Sequence, residues 1–162
     1  MKTKILICGA TGFIGRNFLN SLSKIKNYKV YATYNVKKKI KVRGVKWIKA
    51  DLRNYKNCLR VTKKIDIVMQ FAATTSGSKV ILNQPYVHVT DNAIMNSYML
   101  KASYINQVKH FIFTSCTIMY PNSKKYLSEK QYSSNKIYPS YYGAANTKLY
   151  IEKMCKFYSE IS

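Results

Sequence analysis

Gly9-Ala10-Thr11-Gly12-Phe13-Ile14-Gly15 follows directly on the apolar run Ile5-Leu6-Ile7, and an amphipathic stretch follows the glycines. This order constrains the chain more than any other feature. The glycines of such a strand–turn–helix unit permit a tight turn and let the backbone approach a pyrophosphate. The positive end of the helix dipole then holds that anion. The spacing is G-x-x-G-x-x-G rather than G-x-G-x-x-G. The sequence therefore predicts a dinucleotide cradle at Gly9, Thr11, Gly12, Phe13, Ile14 and Gly15, with Arg16 beside the last glycine.

Short apolar segments alternate with longer amphipathic ones along the rest of the chain. Strands are expected at Lys4–Cys8, Lys29–Tyr34, Val45–Lys49, Ile65–Phe71 and His110–Ser115. Helices are expected at Ile14–Lys24, Tyr55–Lys63, Thr90–Ile105 and Tyr142–Glu160. Strands alternating with helices imply right-handed crossovers and a parallel sheet, so the fold class is α/β, a doubly wound parallel sheet of Rossmann type. Asn122–Pro139 is polar and reads as a long surface loop. The 162 residues suit one domain. The last helix runs to the final residue without a stop signal or a following strand. The chain is thus expected to be truncated before a substrate-binding part.

Composition removes several alternatives. No segment approaches the roughly 20 apolar residues that cross a membrane. The start resembles a signal peptide only until Gly9, where its short apolar core is interrupted, so it reads as a first buried strand. Cys8, Cys58, Cys116 and Cys155 are widely spaced without a C-x-x-C pair. That argues against a zinc site and against a disulfide framework, and fits a cytoplasmic protein. The formal charge of +22 is extreme. However, the lysines are scattered apart from Lys37-Lys38-Lys39, and arginine is scarce. The pattern argues against nucleic acid as the main partner and for a basic surface that steers anionic nucleotides.

Several residues at expected strand ends carry chemistry. Asp51, with Leu52 behind it, is either an acceptor for an adenine amino group or a helix cap or turn residue. Ala72-Ala73-Thr74 offers small residues against which a cofactor lies close, or simply a tight loop. The strand from His110 ends in Thr114-Ser115-Cys116-Thr117, and ligands of open α/β sheets bind beyond the carboxyl ends of strands. Tyr141, Tyr142 and Lys148 follow. A lysine near a tyrosine favours the phenolate and makes it a usable acid or base, although tyrosine is common here, with fifteen in the chain.

Together these segments resemble the extended short-chain dehydrogenase/reductase family, the NAD-dependent epimerases and dehydratases. The resemblance rests on Gly9–Gly15, Asp51-Leu52, Phe71-Ala72-Ala73 with Gln70 near a usual histidine, and Asn92. It continues through Thr114–Tyr120 and Tyr142-Gly143 with Lys148-Leu149 and Glu152. It covers essentially the whole chain and implies an NAD(P)-binding Rossmann domain over residues 1–162, incomplete relative to the family. It also implies a nucleotide-sugar substrate, NAD(P)-dependent epimerase, dehydratase or reductase activity, and a homodimer through a helix pair, expected here from Thr90–Ile105 and the final helix. The implied catalytic set is Tyr141 or Tyr142 as acid or base, Lys148 beside it and on the nicotinamide ribose, and Ser115, Cys116 or Thr117 as the group that orients the oxygen. Tyr120-Pro121 resembles GDP-L-fucose synthases, which reduce and epimerise a keto nucleotide sugar.

Three departures matter. The family's tyrosine and lysine stand four apart, about 6 Å along one helix face. Here Tyr142 and Lys148 are six apart, Tyr141 and Lys148 seven, and position 144 is alanine. Either the helix starts late, with the tyrosine on the preceding turn, or it carries a two-residue bulge, or the site is compromised. Cys116 holds the usual Ser/Thr position, with Thr117 the favoured substitute. Pro121 replaces a glycine. For the cofactor, no acid follows the second strand to take a ribose 2′-hydroxyl, whereas Arg16 and Lys37-Lys38-Lys39 suit a 2′-phosphate. That favours NADP, with NAD the alternative.

Overall fold

The computed structural model describes residues 2–132 and 136–162. Its central element is β1 (Thr3–Cys8), whose apolar run is uninterrupted because both faces are covered. Ile5 and Ile7 pack with Leu19 of helix α1 (Phe13–Leu22). Leu6 and Cys8 face the other layer, with Cys58 of α2 (Tyr55–Thr62) and with Met95 and Met99 of α4 (Thr90–Ile105). β2 (Tyr28–Tyr34) and β3 (Lys46–Lys49) extend the sheet on one side of β1. β4 (Ile67–Gln70) and β5 (His110–Phe113) extend it on the other. Every pairing is parallel and the order is β3-β2-β1-β4-β5. This is the expected doubly wound sheet, and its order reverses direction between β1 and β4.

Element boundaries differ from the sequence expectation by at most two residues; β5 leaves the sheet at Phe113, which frees Thr114 and Ser115 for the strand-end cluster. One helix was not expected, α3 (Ser78–Asn83). At six residues it is too short to show a helical period. Asn54 caps α2, accepting from the Lys56 and Asn57 amides at 2.9 and 3.4 Å. Asp51 is therefore not the helix cap. The described residues of the polar stretch at 122–139 are largely irregular and include a 3₁₀ turn at Glu129–Gln131 closed by a Ser128/Gln131 capping box. Part of that expected loop, 133–135, lies outside the described residues.

α5 (Tyr142–Glu160) is one continuous helix preceded by a 3₁₀ turn at Pro139–Tyr141. The two-residue bulge is thereby corrected: the helix starts late, and Tyr141 sits on the turn before it.

Gly9 has φ +69, and a Cβ there would stand 2.6 Å from the Ala72 amide nitrogen. Gly77 has ordinary dihedrals and nothing within 4 Å of an added Cβ. Gly9→Ala is expected to lower unfolding free energy by about 2 kcal/mol or more through strain and overlap. Gly77→Ala should be near neutral. Denaturant titration of both variants checks this.

Candidate active site

The turn after β1 has the form that a pyrophosphate requires. Gly9 adopts the left-handed conformation, and its amide donates to Thr33 Oγ1 at 3.3 Å. The Gly12 amide donates back to the Gly9 carbonyl at 2.9 Å. A Cβ on Gly15 would stand 2.9 Å from the Ala10 Cα and overlap the Gly9 carbonyl, so only glycine lets α1 come this close to the strand end. Gly12 caps α1 without a side-chain hydrogen bond, and the first turn carries no acidic residue. The first amides of the helix, which have no partner inside it, thus have no side-chain cap and can receive an anion. Phe13 is 78% exposed and Ile14 44%, an apolar rim beside the amides. Arg16 is exposed one residue past the last glycine.

The loop after β4 lies against this turn. Phe71, Ala72 and Ala73 lead to Thr74, which is pinned to α4. The Thr74 amide donates to Asn92 Oδ1 at 2.9 Å, and Asn92 Nδ2 donates to the Thr74 carbonyl at 2.9 Å and to the His88 carbonyl at 2.8 Å. Asn92 is buried, and its amide is thus fully used as a strut. Further along, Ser76 Oγ and His88 Nε2 are 2.6 Å apart. Gln70 is buried at the end of β4, with no hydrogen-bond partner for either amide atom among the described residues. Nothing in the structure explains that arrangement.

Asp51 stands just beyond β3, with Leu52 buried behind it. Its carboxylate is held by Arg53 through Nη2 at 2.8 Å and through Nε and the backbone amide at 3.0 Å each. These contacts hold its pKa below the usual carboxylate value. Arg53 also reaches Asp91 at 3.0 Å. Sequence reasoning missed Arg53 and Asp91 as partners. They are 38 positions apart, and no local pattern links them.

At the end of β5 the three candidate oxygen-orienting groups diverge. Ser115 Oγ donates to the Met119 sulfur at 3.7 Å. Cys116 is partly buried, and desolvation pushes its thiol pKa up while the nearby Lys148 opposes that shift. Thr117 lines two adjoining cavities. The larger, about 990 Å³, is bounded by Thr117, Tyr120, Asn122, Ser128, Glu129 and Lys130, among others. The smaller, about 340 Å³, is lined by Thr117, Ile118, Tyr120, Asn122, Tyr138 and Tyr141. Tyr141 thus faces a cavity, while Tyr142 is 64% exposed at the start of α5. Lys148 Nζ sits 4.8 Å from the centre of the Phe113 ring, and burial holds its pKa below the usual lysine value. Tyr138 and Asn122 were not expected in this lining. Their signal lies in the fold, which brings the turn before α5 onto the strand-end segment.

A doubly wound parallel sheet with a glycine turn at its switch point and a hydroxyl-rich strand end defines a fold of the Rossmann class. Residues 5–161 match the NAD dependent epimerase/dehydratase family, and the chain belongs to that family. It is 29% identical over 165 residues to GDP-mannose 3,5-epimerase 1 of Oryza sativa subsp. indica, covering 98% of this chain and 43% of that protein. The fold is similar to a crystal structure of UDP-glucose 4-epimerase, with TM-score 0.82 and 28% identity over 99% of this chain and 48% of the other. A UDP-glucuronic acid 4-epimerase variant from Bacillus cereus, in complex with UDP-4-deoxy-4-fluoro-glucuronic acid and NAD, matches with TM-score 0.72 and 26% identity. That match covers 98% of this chain and 52% of the other. The chain therefore spans about half the length of the proteins it matches. Among the described residues no helix is long and apolar enough to cross a membrane.

The lowered pKa of Lys148 carries a stability consequence. The unfolded chain binds this proton more firmly than the folded one, so charging Lys148 opposes folding at neutral pH. The penalty is relieved as pH rises towards the ordinary lysine value. Lys148→Met is expected to raise the melting temperature at pH 7 and to lose that advantage near about pH 10. Paired melts at the two pH values test the sign.

Proposed function

We propose that this chain is the cofactor-binding and catalytic-residue part of an enzyme that epimerises, dehydrates or reduces a nucleotide sugar, with NADP as the favoured cofactor and NAD the alternative. The observation that carries the reading is the cradle at Gly9–Gly15, whose space a Cβ would fill and whose helix amides lack a cap. Both features fit a pyrophosphate. Gly9, Thr11, Gly12, Phe13, Ile14, Gly15 and Arg16 would hold the diphosphate side. Asp51 and Leu52 would receive the adenine, and Ala72, Ala73, Thr74 and Lys148 would border the ribose and nicotinamide side. No acid lies between Asn35 and Lys39 after β2, and Lys37, Lys38 and Lys39 are all exposed, which supports NADP.

When bound, a nicotinamide supplies hydride exchange with a sugar carbon. The protein's own part is proton transfer and orientation. Tyr141 moves the proton at the sugar oxygen. It is chosen over Tyr142 because it lines the cavity that Thr117 also lines. Thr117 orients that oxygen. Lys148 supplies the positive charge that favours proton release from a phenol and contacts the nicotinamide ribose. Ser115 is directed at Met119, and Cys116 at the surroundings of Lys148, which leaves Thr117 as the group of choice. The similarity to GDP-mannose 3,5-epimerase and the Tyr120-Pro121 pair support a GDP-linked keto sugar. A homodimer is supported by the outer sides of α4 and α5, which pack on each other and expose Tyr98, Tyr104, Tyr150 and Phe157.

Ligand that binds only the folded state must raise the melting temperature. A dose-dependent rise with both cofactors, larger with NADP, is expected in thermal titrations of this chain. No rise with either, on a cooperatively melting sample, would sink the reading. In a protein of the relatives' full length, Tyr141→Phe is expected to lower kcat at least about 100-fold, with Tyr142→Phe nearly silent. Equal losses in the two variants would remove Tyr141 from its role.

A further inference from the structure

Arg53 occupies an unusual position electrostatically. It is the common partner of two carboxylates, Asp51 at 2.8 Å and Asp91 at 3.0 Å, and these come from separate elements at the carboxyl edge of the sheet. Asp51 follows β3, and Asp91 lies in the first turn of α4. Asp91 Oδ2 also accepts from Thr74 Oγ1 at 3.3 Å. A continuous hydrogen-bonded chain thus runs from Asp51 through Arg53, Asp91 and Thr74 to Asn92 and the loop against Gly9. The strand order β3-β2-β1 sets the Asp51 end and the glycine turn two strands apart, about 10 Å. That is close to the screening length in moderate salt, so charge at Asp51 is felt at the turn, and Asp91 is linked through Thr74 to the loop against Gly9.

A conflict follows for a site that takes a dinucleotide. A carboxylate suits the adenine amino group as an acceptor, yet two carboxylates at the same edge repel the diphosphate on its way to the turn. Arg53 reconciles the two. It leaves both carboxylates able to accept while reducing their joint charge to one negative unit.

We propose that Arg53 is a positioning residue of the dinucleotide site, which neutralises Asp51 and Asp91 together so that a pyrophosphate can bind at the Gly9–Gly15 turn. This rests on the cofactor reading above. The ion pairs themselves are exposed and contribute little to stability. Their effect is on the anion.

The test is calorimetric titration of NADP, and of NAD alongside it, into this chain and three variants. Arg53→Gln leaves the site with two negative units. Arg53→Lys keeps the wild-type charge without the planar fork. Arg53→Gln/Asp91→Asn restores the wild-type net charge with no ion pair at all. Arg53→Gln is expected to weaken binding roughly threefold at about 0.01 M salt and less than about twofold at about 0.15 M salt. Arg53→Lys and the double variant should bind nearly as wild type does. Equal loss in all three variants would assign Arg53 a purely geometric role and overturn the proposal. Unchanged affinity in Arg53→Gln, with wild type binding normally, would overturn it too. Failure of the wild-type chain to bind either cofactor would instead bring down the cofactor reading, and the proposal with it. Matching apo melting temperatures show that the variants are folded.

Discussion

The close approach of the Gly9 turn to the loop after β4 is the constraint on which the rest of the structure depends. β1 and β4 are hydrogen-bonded neighbours, and the Phe71 amide continues their ladder by donating to the Cys8 carbonyl at 3.2 Å. The chain must leave both strands at nearly the same point and in different directions. Without a Cβ at Gly9, Ala72 can lie against the turn. Without one at Gly15, α1 can start directly above the strand end. Any side chain at either place would push helix and loop apart and close the crevice that a doubly wound sheet opens at its switch point. Small residues at Ala72 and Ala73 belong to the same requirement, since a bulky side chain there would fill the space the glycines keep clear.

The second half of the site follows from how β5 ends. The strand is only four residues long, and its last residue, Phe113, supplies the ring beneath Lys148. The residues that follow then turn in a 3₁₀ segment at Thr117–Met119. Met119 and Ile118 pack with Ile137, Ala145 and Leu149, which ties the hydroxyl-bearing segment to the first turns of α5. Thr117 and Tyr141 therefore meet at one cavity even though the turn before α5 replaces the regular helical spacing. Packing, rather than the four-residue interval of a helix face, brings Tyr141 to that cavity.

Legibility divides along the same line. The tight turn at Gly9–Gly15, the strand alternation and the bounds of α4 and α5 were readable because each depends on local pattern: glycine spacing, apolar runs, helical period. Which of Tyr141 and Tyr142 lines the cavity was not, because it depends on where α5 begins. Pro139 and the turn it starts set that point, and the six- and seven-residue intervals to Lys148 are equally compatible with several geometries. α3 was invisible at six residues, whereas the Ser128/Gln131 capping box is a recognisable S-x-x-Q pattern inside a stretch read only as polar loop. The triad of Asp51, Arg53 and Asp91 is the clearest limit. A charged residue two positions from one acid reads as a local turn contact, and nothing in the sequence points to the second acid across 38 positions.

The charge of the chain takes on a different meaning beside that triad. With 28 basic and six acidic residues, almost any surface position favours an anion in a general way. Two of the six acids nevertheless stand together at the edge where the dinucleotide would lie, and both are tied to one of the few arginines. A lysine offers a compact charge on a flexible stem, and the planar guanidinium can hold two carboxylates at once in fixed directions. In a chain that uses lysine almost everywhere else, the arginine here lets one side chain bridge Asp51 and Asp91. The same reasoning explains why Lys148 is a lysine. It places a single cation over Phe113, in a space where desolvation penalises its charge, and a compact ammonium suits that space.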